Sequence, residues 1–137
     1  MTETVIFAPL VLFTLLMIVQ LGLYFHAINV ASTAAQEGAH EASLRYAATG
    51  ETDAQTATAR GEQTARDFVD QFASELLAGV AVDGQVDAGD QLVRMTVSGD
   101  VSQVVVIPGI DFSISVNETA QSPVERFRPA GESPTVP

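Results

Sequence analysis

The feature that most constrains this chain is the run from Val5 to Ile28, VIFAPLVLFTLLMIVQLGLYFHAI, which is apolar almost without interruption and passes directly into the alanine-rich NVASTAAQEGAHEASLRYAA. Both pieces read as helix. A helix from about Glu3 to Ala48, at roughly 1.5 Å per residue, is near 70 Å long, about twice the ~30 Å hydrocarbon core of a bilayer. One half is sized for lipid; the other has to stand outside it. The apolar run is longer than the core of a secretory signal peptide and no basic residue precedes it, so it is expected to be retained. Membrane helices are oriented by Lys or Arg on the cytoplasmic side, and the first basic residue here is Arg45. A basic leader once preceding Met1 and since removed accounts for that, as does an initiator Met with another orienting partner.

Inside the run, Pro9 lacks an amide hydrogen and sits either in the first turn or at a kink. Gln20 is deep enough to need a hydrogen-bond partner, and a neighbouring helix is the expected one. A proton or ion pathway would need more ionisable groups than the segment has. Beyond it, Ala27, Ala31, Ala34, Ala35, Gly38 and Ala42 recur at three-and-four spacing and fall on one helix face. Such a stripe lets helices approach closely or gives a thin face against the chain's own domain, and both can hold for different parts of it. Glu41 and Arg45 are spaced to pair on another face.

The chain has 137 residues, enough for the anchor and one small domain. Its net charge of −11 lies mostly beyond residue 50, which argues against nucleic acid as a partner. With no Cys, neither disulfides nor thiolate metal sites can brace that domain. Gly50 is placed to stop the first helix and Thr52 to cap a second, about Asp53 to Leu77, which is amphipathic with Ala57, Gly61, Ala65, Phe68, Val69, Phe72 and Leu76 on one face. The period then changes to two. A short strand at Val80–Val82, turn chemistry at Asp83–Gly84 and Asp87–Asp90, a strand from Gln91 to Ser98 and a third from Ile110 to Asn117 predict a three-stranded antiparallel sheet. Val104 to Ile107 is apolar without alternation before Pro108–Gly109. It either tucks under the sheet or offers a contact surface to a neighbouring subunit or the membrane. The expected organisation is a helix over 1–48, an α+β domain over 49–128 and a flexible tail over 129–137.

Chemical constellations are few. His26 and His40 are roughly 21 Å apart by helix rise and cannot share a metal within one chain. Asp83, Asp87 and Asp90 lack the spacing and bidentate Glu of a calcium loop and read as turn residues. Asn117-Glu118-Thr119 fits the glycosylation sequon, a pattern frequent by chance. No nucleophile elbow, phosphate loop or zinc motif occurs, so no catalytic residue, cofactor or metal is assigned and the chain is not expected to be an enzyme.

Glu3-Thr4-Val5-Ile6-Phe7-Ala8-Pro9-Leu10, Gln36-Glu37-Gly38-Ala39 and Ser122-Pro123-Val124-Glu125-Arg126-Phe127-Arg128, in this order, resemble the TadE-like family of tight-adherence (Tad) pilus proteins, relatives of type IV pilins. The resemblance implies a leader cut by a prepilin peptidase, residence in the bacterial inner membrane as a single-pass subunit, and extraction through an assembly platform into an extracellular pilus with copies of itself or other pilins. An adhesive structural subunit is the expected function; a permanent membrane-anchored assembly or adaptor component is the alternative. Type IV pilins commonly carry Glu at the fifth mature position, whereas Glu3 is third if Met1 is the mature start; either the mature chain begins two residues earlier or the acidic position is displaced in this subgroup. The expected assembly residues are Glu3, Pro9, Gln20, Ala27, Ala31, Ala34, Gly38 and Ala42. For Glu3 the expected partner is a neighbour's α-amino group, with its own positive helix end as the alternative.

Overall fold

The computed structural model describes residues 2–49, 53–104, 106, 108–110 and 113–125, with side chains from Val5 onward. Its elements are α1 (Thr2–Ala48), α2 (Ala54–Ala73), β1 (Leu77–Asp87), β2 (Leu92–Val101) and β3 (Ile114–Pro123). This is the α+β architecture expected: a long N-terminal helix, a second helix and a three-stranded antiparallel sheet of order β1-β2-β3. The Gly50–Thr52 turn, Phe112 and the 129–137 tail lie outside the described residues.

α1 is one helix of 47 residues and continues through Pro9. From Val5 to Val19 every side chain except Leu16 is exposed, whereas Ala27, Ala31, Ala34, Ala35, Ala39 and Ala42 are fully buried. Both helices lie on one face of the sheet, α2 over β1 and α1 over β2 and β3. Val69, Val93, Met95 and Val97 are the largest fully buried side chains among the described residues. The far half of α1 is therefore one wall of the domain.

Several boundaries differ from the sequence expectation. The N-cap of α2 is Asp53, whose Oδ1 accepts from the Thr56 amide at 3.0 Å. The helix stops at Ala73, four residues early, because the turn after it is held by the β2 end: the Ser102 amide and hydroxyl donate to the carbonyls of Leu76 and Glu75 at 2.8 and 2.9 Å. Leu77 then opens β1 opposite Val101. Asp83–Gly84, expected as a turn, lies within this eleven-residue strand. Gly84 is there because α2 crosses it: a Cβ would lie 3.2 Å from Thr58 Cβ and 3.1 Å from Met95 Cε, and its amide donates to Glu62 Oε1 at 3.0 Å.

β3 is displaced along the chain, from the expected 110–117 to 114–123. The inward parity seen in Ile114 and Val116 continues through Glu118, Ala120 and Ser122 to Val124. These later residues are polar or small, which hides the alternation. Small side chains suit this position because α1 packs directly over β3.

Candidate functional site: the two halves of the long helix

The functional candidate is α1 itself, apolar all round at one end and packed at the other. A helix whose whole circumference is apolar finds no aqueous face, so it needs lipid or protein around it. It is long and apolar enough to cross a membrane, and its most apolar window is not buried by the rest of the chain.

The buried half owes its packing to two glycines. A Cβ on Gly38 would stand 2.7 Å from the carbonyl oxygen of Gly61, and one on Gly61 would overlap the carbonyl oxygen of Gly38. The helices thus cross backbone to backbone, with Met95 beneath the crossing. Ala27, Ala31, Ala34 and Ala42 line the same buried side. The small-residue stripe accordingly faces the chain's own domain, the second of the two readings of that pattern. Farther along, Ser43 donates to the His40 carbonyl at 2.8 Å, so its 3.0 Å contact with Ser122 takes the proton from Ser122. This bond ties the end of β3 to α1.

Gln20 behaves differently from the expectation of a neighbouring helix. Its Oε1 accepts a hydrogen bond from the backbone amide of Val104 at 2.9 Å, so the partner comes from the chain's own β2–β3 connection. Between residues 5 and 22 only Leu16 and Gln20 are not exposed. Val104, Val106 and Ile110 themselves remain exposed, so these residues are not tucked under the sheet; Val105 and Ile107 lie outside the described residues. Sequence reading found both partners separately, but nothing in the pattern could join positions 84 residues apart. Pro9 is in the exposed half; the side chain of Glu3 lies outside the described residues.

The remaining chemistry-bearing residues do not converge. His26 and His40 are exposed on α1. Asp87 Oδ1 accepts from the amides of Gly89 and Asp90, which makes it a cap for the β1–β2 turn, and Asp83 accepts from Gln85. Glu41 and Arg45 pair at 2.8 Å. Among the described residues no group of three His, Asp or Glu is placed to hold a metal ion. The outer sheet face, with Arg94, Thr96, Asn117, Thr119 and Gln121, is a shallow polar surface where Thr96 and Thr119 share a 3.0 Å hydrogen bond.

Residues 1–40 match the TadE-like protein family model. The matched segment covers the apolar half of α1 and most of its alanine stripe. Of the stretches that carry the resemblance, 3–10 and 36–39 lie inside the match and 122–128 beyond it. No curated protein and no solved structure matches the chain.

Proposed function

We propose that this chain is a structural subunit of a Tad or type IV-like pilus, held in the bacterial inner membrane by the apolar half of α1 before assembly and packed by that same half into the filament core afterwards. The observation that carries the reading is the continuity of α1: Pro9 does not break it, and Gly38 locks its far half to the domain. A rod fixed to its domain transmits axial force and sets the distance between filament core and surface; a flexible tether does neither.

The energetics fit a subunit that never meets water with this face. Each Leu, Ile, Val or Phe removed from water is worth ~1.5–3 kcal/mol, so releasing the exposed apolar half into solvent is prohibitive. Transfer from lipid to a bundle of like helices exchanges one apolar environment for another, and close packing supplies the difference. Extraction then calls for machinery, and an assembly platform and a prepilin peptidase are the partners this reading brings with it. The acidic domain forms the outer surface, where it serves adhesion or surface contact by shape and polarity rather than catalysis.

Shearing surface filaments from cells and identifying their protein tests the reading. This chain is expected in the sheared fraction. Its complete retention in the membrane fraction, with filaments still made, would overturn the subunit role and support a membrane-anchored assembly component.

A further inference from the structure

The β2–β3 connection carries exposed apolar side chains at the end of the domain nearest the apolar half of α1. Val106 is 76 % exposed, and Val104 and Ile110 about half exposed, with Pro108–Gly109 forming the tip, where Gly109 has φ 86°. Apolar exposure of this kind in a water-facing loop is unfavourable and calls for a cover.

The level of the loop is fixed by the hydrogen bond from the Val104 amide to Gln20. Between Glu3 and Tyr24 no side chain is ionisable, and a bilayer core takes up about 20 helical residues. A span that begins at Val5 therefore ends near Tyr24, which puts Gln20 roughly 6 Å inside the boundary by helix rise. The loop hangs at the same depth. Interfacial insertion characteristically buries apolar groups ~5–10 Å below the headgroup boundary.

The polar chemistry is consistent with that placement. Backbone that enters lipid outside a helix needs its amides satisfied, and Gln20 satisfies Val104. Gln20 in turn, a polar side chain in an apolar span, receives a partner without a second subunit. Residues 101–110 contain no charged side chain; Asp111 follows them in the sequence, and Asp100 and Glu75 flank the region and stay exposed. There is no basic residue to draw the loop toward anionic headgroups, so the attraction is apolar.

We infer that the β2–β3 loop, through Val104, Val106 and Ile110, is a second membrane contact that dips into the interfacial layer of the leaflet beneath the domain, with the lipid bilayer as its occupant. It rests on the reading of α1 as a membrane span. The domain is thereby seated on the bilayer at two points and fixed in tilt before assembly, and assembly has to lift this loop out.

The chain has no Trp, so single Trp substitutions report without background. Full-length Val106→Trp, Leu12→Trp and Ala88→Trp chains are placed in phosphatidylcholine nanodiscs, one chain per disc, with acyl chains brominated at a shallow or a deep position. Ala88 lies in the turn before β2, the opposite end of that strand from the loop. The expected result is blue-shifted Val106→Trp emission quenched several-fold more by shallow bromines than by deep ones, Leu12→Trp quenched most by deep ones, and Ala88→Trp unquenched. Added salt or phosphatidylglycerol should leave the Val106→Trp signal unchanged. Val106→Trp behaving like Ala88→Trp while Leu12→Trp is quenched would overturn the inference and leave the span intact. Protection of Val106→Trp only in discs holding two chains would overturn it in favour of a second copy. An unquenched Leu12→Trp would remove the span, and the inference with it.

Discussion

Gly38 and Gly61 stand so close that each occupies the space a side chain on the other would need, its carbonyl oxygen lying where the other's Cβ would reach. Because the obstructing atoms are backbone, no rotamer change can relieve a substitution. Gly38→Ala and Gly61→Ala are expected to destabilise the domain by up to about 2 kcal/mol, what is left of an overpacking cost of ~1–3 kcal/mol after the roughly 1 kcal/mol that Ala gains in helix propensity. Gly22 has nothing within 4 Å of its added Cβ, and Gly22→Ala should be neutral or stabilising. Chemical unfolding of the full chain in detergent separates the three.

Met95 lies beneath that crossing and is fully buried. Met95→Ala is expected to cost ~2–5 kcal/mol by leaving a cavity between sheet and helices. Met95→Leu, which keeps volume, should cost less than about 1.5 kcal/mol in the same unfolding measurement.

The cap of α2 gives a pH dependence. Hydrogen bonds from the side chain and then the amide of Thr56 lower the pKa of Asp53 below the ordinary carboxylate value. Its contribution is therefore complete above the unfolded pKa of about 3.9 and is lost as pH falls through the lower, folded value. Amide exchange in the first turn of α2 should accelerate on acidification through that window. Asp53→Asn, which keeps a capping oxygen without the titration, should remove the pH dependence.

The bond between Gln20 and Val104 predicts a protected amide in an otherwise exposed loop segment. Hydrogen exchange at Val104 should be slowed in the full chain and accelerated severalfold by Gln20→Leu, with core amides such as Val97 unchanged. Equal exchange in both chains would remove Gln20 as its acceptor.

How much of this was legible in the sequence depended on whether hydropathy carried the signal. α1, α2 and β2 were readable because their apolar residues recur at helical or strand spacing over a long stretch, and Val93, Met95 and Val97 are buried as their alternation implies. β3 was misplaced because its inward positions Glu118, Ala120 and Ser122 are polar or small, and Gly84 read as a turn where it makes room for α2. The small-residue stripe was visible, but which helix it meets is a tertiary fact. So is the Gln20–Val104 bond, which joins a span residue to a distant loop.

The central claim is that the exposed apolar half of α1 exchanges lipid for the same half of neighbouring subunits. The chain has no Cys, so Leu12→Cys places one thiol on that half and Ala88→Cys one at the far turn of the sheet. Oxidative or short bifunctional thiol cross-linking of sheared surface filaments, read by denaturing electrophoresis, tests it most directly. The account predicts covalent dimers from Leu12→Cys filaments, far fewer from Ala88→Cys, and monomers alone from dilute membrane-embedded Leu12→Cys chains. Filaments that contain the Leu12→Cys chain but yield no cross-link above the Ala88→Cys level would contradict it.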